Sequence, residues 1–401
     1  MSGIVIIGAG QAGSSLAIKL RALGYQGTVT LIGEEPYAPY QRPPLSKTYL
    51  LGEMALERLY LRPEEVYRDQ NIELRLGTQV TAIDPVAQVI SLGAETLSYD
   101  QLALTTGSTP RLLPEAIGGR LQNVFAVRGL ADVDAMRPAF EHGGHVLIIG
   151  GGYIGLEAAA VAAKRGLKVT LVEMADRILQ RVACAETSDY FRALHQSHGV
   201  TLLEGVGLSS LTGTDHVTGA ILSNGATLDI DFALVGVGIQ PNTQLADAAG
   251  LTLNNGIETN ALGQTSQSTI WAAGDCASFP YQGQRIRLES VPNAIDQADV
   301  VAANMLGAQK AYHATPWFWS DQYDVKLQIA GLNQGFENVV TRIGEAGRSH
   351  WYYKAGQVLA VDAMNDPRAY MVAKRLIEAG KTADPALVAD PGSDLKALLR
   401  G

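Results

Sequence analysis

The chain has 401 residues, 47% of them hydrophobic and 18% charged, with a formal net charge of −9 at pH 7. That length exceeds one compact core and points to two or three domains, and the composition shows no collagen-like or disordered bias. The acidic balance excludes a general nucleic-acid binder, which needs a basic surface to displace counterions, and no stretch is long enough to span a bilayer. Neither nucleic acid nor membrane is therefore expected as a partner. Two cysteines, Cys184 and Cys276, stand far apart, so no disulfide framework is expected, which fits a reducing compartment. With neither a basic n-region nor a cleavage site at its start, the expected location is the cytoplasm.

In chain order, residues 4–7 read as a strand entering Gly8-Ala9-Gly10-Gln11-Ala12-Gly13. A helix to Leu23-Gly24 follows, then a second apolar run at 29–32 that ends in Gly33-Glu34-Glu35. Residues 79–104 alternate in short runs, predicting an antiparallel meander inserted in the first domain. Residues 98–109 then close a strand with Thr105, Thr106 and Gly107. The opening design recurs at 146–149, which leads into Gly150-Gly151-Gly152-Tyr153-Ile154-Gly155, a helix to Gly166, a strand at 169–172 and Glu173. Residues 201–232 repeat the meander pattern and end in the run 233–238, closing on Gly238; 270–274 is another strand with a glycine end. Farther on, strands are predicted at 325–332, 337–343 and 351–364, the last broken by a turn at Lys354-Ala355-Gly356. Asp366-Pro367 reads as an N-cap and first-turn proline opening a helix that Gly380 terminates.

Each copy of the repeat reads strand, glycine turn, helix, strand, acid, which is one βαβ unit. In the first, Gly8 permits the tight turn, Gly10 lets backbone approach a pyrophosphate, and Gly13 lets helix and strand pack closely. The helix N-terminus offers unpaired N–H groups and the positive end of its dipole to the phosphates. Gly150, Gly152, Ile154 and Gly155 occupy the same stations in the second copy, so two dinucleotide cofactors are expected. Glu173 ends the second strand of its unit, where a carboxylate accepts bonds from both ribose hydroxyls and repels a 2′-phosphate. NADH is therefore expected over NADPH, with Arg177 downstream leaving a phosphate clamp as the alternative.

Five strings then occur in order: 41–47 (Gln-Arg-Pro-Pro-Leu-Ser-Lys), 150–157, 274–276 (Gly-Asp-Cys), 289–294 (Glu-Ser-Val-Pro-Asn-Ala) and 316–322 (Pro-Trp-Phe-Trp-Ser-Asp-Gln). Together they resemble the NADH-dependent ferredoxin reductases of bacterial oxygenase systems, along essentially the whole chain. The resemblance implies an α/β fold with two Rossmann-like dinucleotide-binding domains of the glutathione-reductase kind and a C-terminal α+β interface domain. The implied boundaries are 1–109 with 239–315 for FAD, 110–238 for the nicotinamide cofactor, and 316–401 for the interface.

The same resemblance implies residue roles. Lys47 would lie beside the flavin N5 with Glu157 as its ion-pair partner, a cation there stabilising negative charge on reduced flavin. Asp275 would accept from the ribityl chain near a helix N-terminus, the alternative being a plain N-cap. Ala12, Glu34, Val80, Arg128 and Val291 match FAD-contacting positions, Val80 and Val291 through backbone, so that their side chains read equally as core. Arg42 of the 41–47 string and Gly107 at the end of its strand are also expected to bind cofactor, and Glu34 and Glu35 compete for the FAD ribose. Trp319 would stand at the flavin edge where the electron partner docks, the alternative being a seam packed by two tryptophans; Trp317 is assigned to packing. NADH would reduce FAD by hydride, and electrons would leave one at a time to a 2Fe-2S ferredoxin feeding a monooxygenase or ring-hydroxylating dioxygenase. A monomer or weak homodimer is expected.

Disulfide reductases of this architecture carry paired cysteines after the first βαβ unit and thiol peroxidases carry one; here that stretch runs Pro43-Pro44-Leu45-Ser46-Lys47. Reducing equivalents must then leave directly from the flavin, and Cys276 reads as a packing residue. The 7 histidines include no pair at metal spacing, so no metal is expected. Rubredoxin-linked reductases share the motifs, and an apoptosis-inducing-factor-like flavoprotein with a binding role is the alternative from another class. The helix expected after Pro292 has no Lys or Arg between Arg287 and Lys310, so docking of an acidic ferredoxin would draw on other positions such as Arg62 or on apolar contact.

Overall fold

The computed structural model describes residues 3–345 and 347–399. Residues 1 and 401, the outer limits of the first and last predicted domains, lie outside the described residues. The chain gathers into two compact units, one of Met1–Arg42, Ala55–Thr109 and Ile239–Pro316, the other of Pro43–Met54, Pro110–Gly238 and Trp317–Gly401.

In the first unit, the apolar runs become Gly3–Ile7 and Val29–Ile32, every residue buried. Such unbroken runs fit strands covered on both faces of a parallel sheet. Gly3–Ile7 lies between Val29–Ile32 and Glu95–Leu104, both parallel to it, with Ile72–Arg75 beyond the former and Ile270–Ala272 beside the latter. Glu95–Leu104 also pairs antiparallel with Val89–Leu92, and that strand with Ala82–Asp84, so the meander is present. The strand predicted to run to 109 instead ends at Leu104. There the Thr105 hydroxyl donates towards Ile7 O at 3.0 Å and Gly8 O at 2.8 Å, tying the chain to the glycine turn. Helix Gln11–Ala22 packs Leu16 and Leu20 into one core with Ala294, Ala298, Val301 and Ala302 of helix Val291–Met305.

The second unit repeats the plan. Its parallel sheet runs in the order Thr201–Glu204, Lys168–Glu173, His145–Ile149, Phe232–Val235, Val124–Phe125. Thr201–Glu204, predicted as part of a meander, is the parallel edge strand, because helix Ala185–Ser197 supplies the crossover a parallel neighbour requires. The meander is confined to Leu208–Gly213, Val217–Leu222 and Thr227–Asp229.

The C-terminal part of this unit is an antiparallel sheet ordered Trp317–Gln322, Val325–Gly331, Gln357–Met364, Arg348–Lys354, Asn338–Ile343. Its first strand was not among those predicted. Helix Pro367–Glu378 is capped by Asp366, whose Oδ1 accepts from Ala369 N at 3.0 Å, and is followed by Gly380 at φ 63°. Ala369, Val372, Ala373 and Leu376 of this helix share a core with Ala330, Val361 and Ala363 of the sheet. Among the described residues no helix is long and apolar enough to cross a membrane.

Candidate functional site

The two glycine turns share their steric logic. A Cβ at Gly13 would stand 2.0 Å from Gly8 O, and one at Gly155 2.0 Å from Gly150 O. Gly8 and Gly150 hold φ of 112° and 109° and press on Thr105 O and Gly236 O. These four are glycine because the protein leaves no room. Gly10 and Gly152 are different: nothing lies within 4 Å of an added Cβ. Each is the N-cap of its helix and provides no side-chain cap, so no N-cap side chain answers the first helical N–H groups. An open position ringed by closed ones fits a bound pyrophosphate.

Around the first turn, Ala12 is buried, and a Cβ added at Gly274 would come within 3.0 Å of its methyl group. Gln297, which the sequence reading missed, accepts from Gly274 N at 2.9 Å and keeps a buried Nε2 without a partner in the protein. A dinucleotide oxygen is a suitable acceptor for such a donor. Asp275 Oδ2 accepts from Ser108 Oγ at 2.8 Å. It precedes strand Ala277–Tyr281 and caps no helix, so the N-cap alternative is corrected; the helix end near it is that of Val291–Met305, whose Ala294 and Gln297 adjoin Gly274. Val80 is core, packed with Val5, Ile7 and Ile32, and Val291 opens its helix behind the N-cap Ser290. Gly107 adopts φ 67°.

The two acids after the second strand differ. Glu35 is held by the Arg42 guanidinium at 2.5 Å and by the Tyr40 hydroxyl. Glu34 is exposed, with Gln79 Nε2 3.4 Å away. In the second unit Glu173 Oε2 accepts from Gly151 N at 2.7 Å and Oε1 from Ala175 N at 2.8 Å, which fixes the carboxylate at the rim of its glycine turn. Arg177 is turned away from that role: its guanidinium donates to Ala183 O, Cys184 O and Ser188 Oγ. Ile154 is 43% exposed beside Gly152, and Gly238 holds φ 102°. Arg128 is half-buried in this second unit, its backbone N–H donating to Asp132.

The second unit also brings Lys47 and Glu157 together. Residues Leu45–Tyr49 form one wide π-helical turn in which Lys47 leaves helical geometry at φ −131°, ψ −110°, a distortion common at functional sites. Lys47 Nζ lies 2.9 Å from Glu157 Oε1, with side-chain exposures of 16% and 8%. Ser320 Oγ donates to Glu157 Oε1 at 2.7 Å and Ser46 Oγ to Oε2 at 3.2 Å. Burial pushes the Glu157 carboxyl above the ordinary range, against the opposing pull of Lys47, Ser320 and Ser46.

Strand Trp317–Gln322 places Trp317 and Trp319 on one face, both half-buried, with ring centroids 5.6 Å apart. Trp317 packs towards Tyr370 and lies under the Lys374 ammonium. The Trp319 ring packs against its strand neighbours Trp317 and Phe318. Both thiols are buried and free, burial pushing each above its ordinary range; Cys276 sits in the core with Leu104 and Ala272. No metal-ligating cluster occurs among the described residues.

Residues 2–298 match the pyridine nucleotide-disulphide oxidoreductase family, and residues 317–399 match the reductase C-terminal family. Putidaredoxin reductase of Pseudomonas putida is 40% identical over 99% of this chain and 96% of its own length. The chain belongs to the pyridine nucleotide-disulphide oxidoreductases of the putidaredoxin reductase type. Rhodocoxin reductase of Rhodococcus erythropolis is also 40% identical, over 98% of this chain and 93% of that protein. Among solved structures, the covalent putidaredoxin reductase–putidaredoxin complex superposes with a TM-score of 0.95 at 39% identity, covering 100% of this chain and 98% of that one. A ferredoxin reductase from Rhodopseudomonas palustris gives the same TM-score at 40% identity, covering 99% of each chain. The family uses FAD and NAD(P)H, and the open positions at Gly10 and Gly152 fit that use.

Closed and open glycines predict opposite phenotypes. Gly155→Ala should destabilise the protein by about 1–3 kcal/mol, as overpacking does, and lower the thermal midpoint. Gly152→Ala should leave stability within about 0.5 kcal/mol of the parent yet weaken nicotinamide-dinucleotide binding, measured by calorimetry.

Proposed function

We propose that this protein is an NADH-dependent, FAD-containing reductase that delivers electrons singly to a 2Fe-2S ferredoxin serving a monooxygenase or ring-hydroxylating dioxygenase. The observation that carries the reading is the Lys47–Glu157 pair, a buried cation held at 2.9 Å in the segment where disulfide reductases keep their cysteines. The names of its relatives, among them putidaredoxin reductase and the reductase component of an anthranilate dioxygenase system, support the same partner class.

FAD, when bound, supplies a carrier that takes hydride as an electron pair and returns electrons one at a time. The protein's part is binding and electrostatics. Gly8, Gly10 and Gly13 hold the FAD pyrophosphate against the first helix, and Asp275 takes the ribityl hydroxyls. Glu34, exposed where Glu35 is committed to Arg42 and Tyr40, takes the FAD ribose. Gly150, Gly152 and Gly155 hold NADH, and Glu173 its adenosine ribose. Lys47, anchored by Glu157, presents a positive charge to the flavin N5, and Trp319 shields the flavin on the partner's side. We assign residues 1–109 and 239–315 to an FAD domain, 110–238 to an NADH domain and 316–401 to an interface domain, and place the protein in the cytoplasm.

The direct test is NADH-driven cytochrome c reduction with and without a 2Fe-2S ferredoxin: turnover should rise steeply with the ferredoxin, whereas a rubredoxin doing better would refute the partner. Replacing Glu173 with Ala should narrow the NADH-to-NADPH ratio of kcat/KM, each charge-assisted bond lost being worth on the order of 1.5–3 kcal/mol; an unchanged ratio removes Glu173 from the ribose. For Trp319→Ala, stopped-flow hydride transfer from NADH should stay within about tenfold of wild type, a barrier change below ~1.4 kcal/mol. Electron delivery to the ferredoxin should fall much further, and equal losses in both half-reactions would reduce Trp319 to a packing residue.

A further inference from the structure

The Lys47–Glu157 pair stands at the end of a longer buried chain. Ser320 and Gln322 alternate onto the same face of strand Trp317–Gln322, and both are fully buried, as is His195 of helix Ala185–Ser197. Ser320 Oγ reaches Glu157 Oε1 at 2.7 Å, and Gln322 Nε2 reaches Ser320 Oγ at 3.2 Å. Gln322 Oε1 lies 2.8 Å from His195 Nε2, and Tyr323 Oη lies 3.1 Å from His195 Nδ1. Tyr323 in turn stacks on His198 with ring centroids 3.7 Å apart.

The direction of each hydrogen follows by elimination. An ionised carboxylate only accepts, so the Ser320 hydroxyl gives its hydrogen to Glu157 and offers a lone pair to the Gln322 amide N–H. That orients the amide with Oε1 towards His195, so His195 carries its hydrogen on Nε2. Nδ1 is then bare and accepts from the Tyr323 hydroxyl. Every hydrogen points the same way, from Tyr323 through His195, Gln322 and Ser320 to Glu157, and bonds aligned in this manner polarise one another. Burial keeps His195 neutral, pushing its imidazole down to about 4, with His198 adding to the effect. Besides Ser320, the groups facing the carboxylate are Lys47 and Ser46, and Asp321 Oδ2 stands 3.9 Å from Lys47 Nζ.

We propose that Ser320, Gln322 and His195 are positioning residues for the reaction, a one-way chain of donors that keeps Glu157 ionised and aimed at Lys47. A carboxylate this buried favours its neutral form unless its lone pairs are answered, and a neutral Glu157 would release Lys47 from its station. The inference rests on the flavin role given to Lys47 above, while the chain itself has a readout that needs no turnover.

In the holoenzyme, 15N NMR of the imidazoles should show His195 as a single Nε2–H tautomer between about pH 5 and 8. An Nδ1–H tautomer or a cation in that range overturns the chain. In the holoenzyme, Ser320→Ala should slow the limiting rate of hydride transfer from NADH about tenfold with the NADH dissociation constant unchanged, and Gln322→Leu should do the same more weakly. FAD content and thermal midpoint verify that each variant is folded; if Gln322→Leu is not, Ser320→Ala carries the test. In a Glu157→Gln background Ser320→Ala should add nothing, because the acceptor it serves is gone. A wild-type rate in Ser320→Ala, or an additive loss in the double variant, overturns the positioning role. A wild-type rate in Glu157→Gln alone instead overturns the flavin role of the pair, and the positioning role with it, while leaving the NMR result intact.

Discussion

A carboxylate taken out of water has to be met by donors from several directions, and Glu157 imposes that requirement on the second unit. It sits on helix Tyr153–Lys164, directly after the second glycine turn, and its partners come from elsewhere in the chain. Lys47 and Ser46 arrive on the wide turn Leu45–Tyr49, Ser320 on strand Trp317–Gln322. Three distant segments are thereby fixed to one atom pair. Removing a single partner of such a buried pair costs far more than the intact pair contributes, so the arrangement specifies geometry more than it adds stability.

The repeat was legible because its signals are local. Apolar runs, the spacing of Gly8, Gly10 and Gly13 and of Gly150, Gly152 and Gly155, and an acid ending the second strand all follow from backbone sterics and phosphate chemistry. Asp366-Pro367 and Gly380 marked a helix correctly for the same reason, since caps answer to neighbouring residues alone. Helix Ala185–Ser197 was not legible. Its buried face carries Thr187, Ser188 and His195 with Phe191, so apolar periodicity is weak. Thr187 and His195 are buried because their partners, Asp362 and Gln322, come from the C-terminal sheet, which no local pattern announces, while Ser188 bonds Ile178 O in the loop ahead of the helix. Strand Trp317–Gln322 escaped similarly: two of its residues, Trp317 and Trp319, were read for their roles, while its alternation only makes sense once Ser320 and Gln322 are known to face inward.

The C-terminal sheet meets helix Ala185–Ser197 through a second polar cluster. Thr187 Oγ1 donates to Asp362 Oδ2 and lies 2.7 Å from His350 Nδ1, while the Tyr352 hydroxyl also bonds Asp362 and accepts from Cys184 N. Burial pushes the Asp362 carboxyl up to about 6 and the His350 imidazole down to about 4. Cys184 is enclosed in this cluster and Cys276 in the core of the first unit, so both thiols are structural in placement. A fold that its relatives elsewhere use for sulfur chemistry here keeps its sulfur out of reach.

Arg177 bears on how coenzyme preference could be redesigned. On the ribose role proposed for Glu173, accepting a phosphorylated ribose requires a cation near that carboxylate, and the basic residue next along the chain would be the obvious recruit. Its planar fork already closes the loop ahead of helix Ala185–Ser197 by binding Ala183 O, Cys184 O and Ser188 Oγ. Drawing it outward would take the Arg177 donor from Ala183 O, while Cys184 O would keep Ser188 N, and would unfasten that loop. On the role proposed for Glu173, a change of coenzyme would therefore have to remove that carboxylate and also import its positive charge at a new position, because the loop's construction already occupies Arg177.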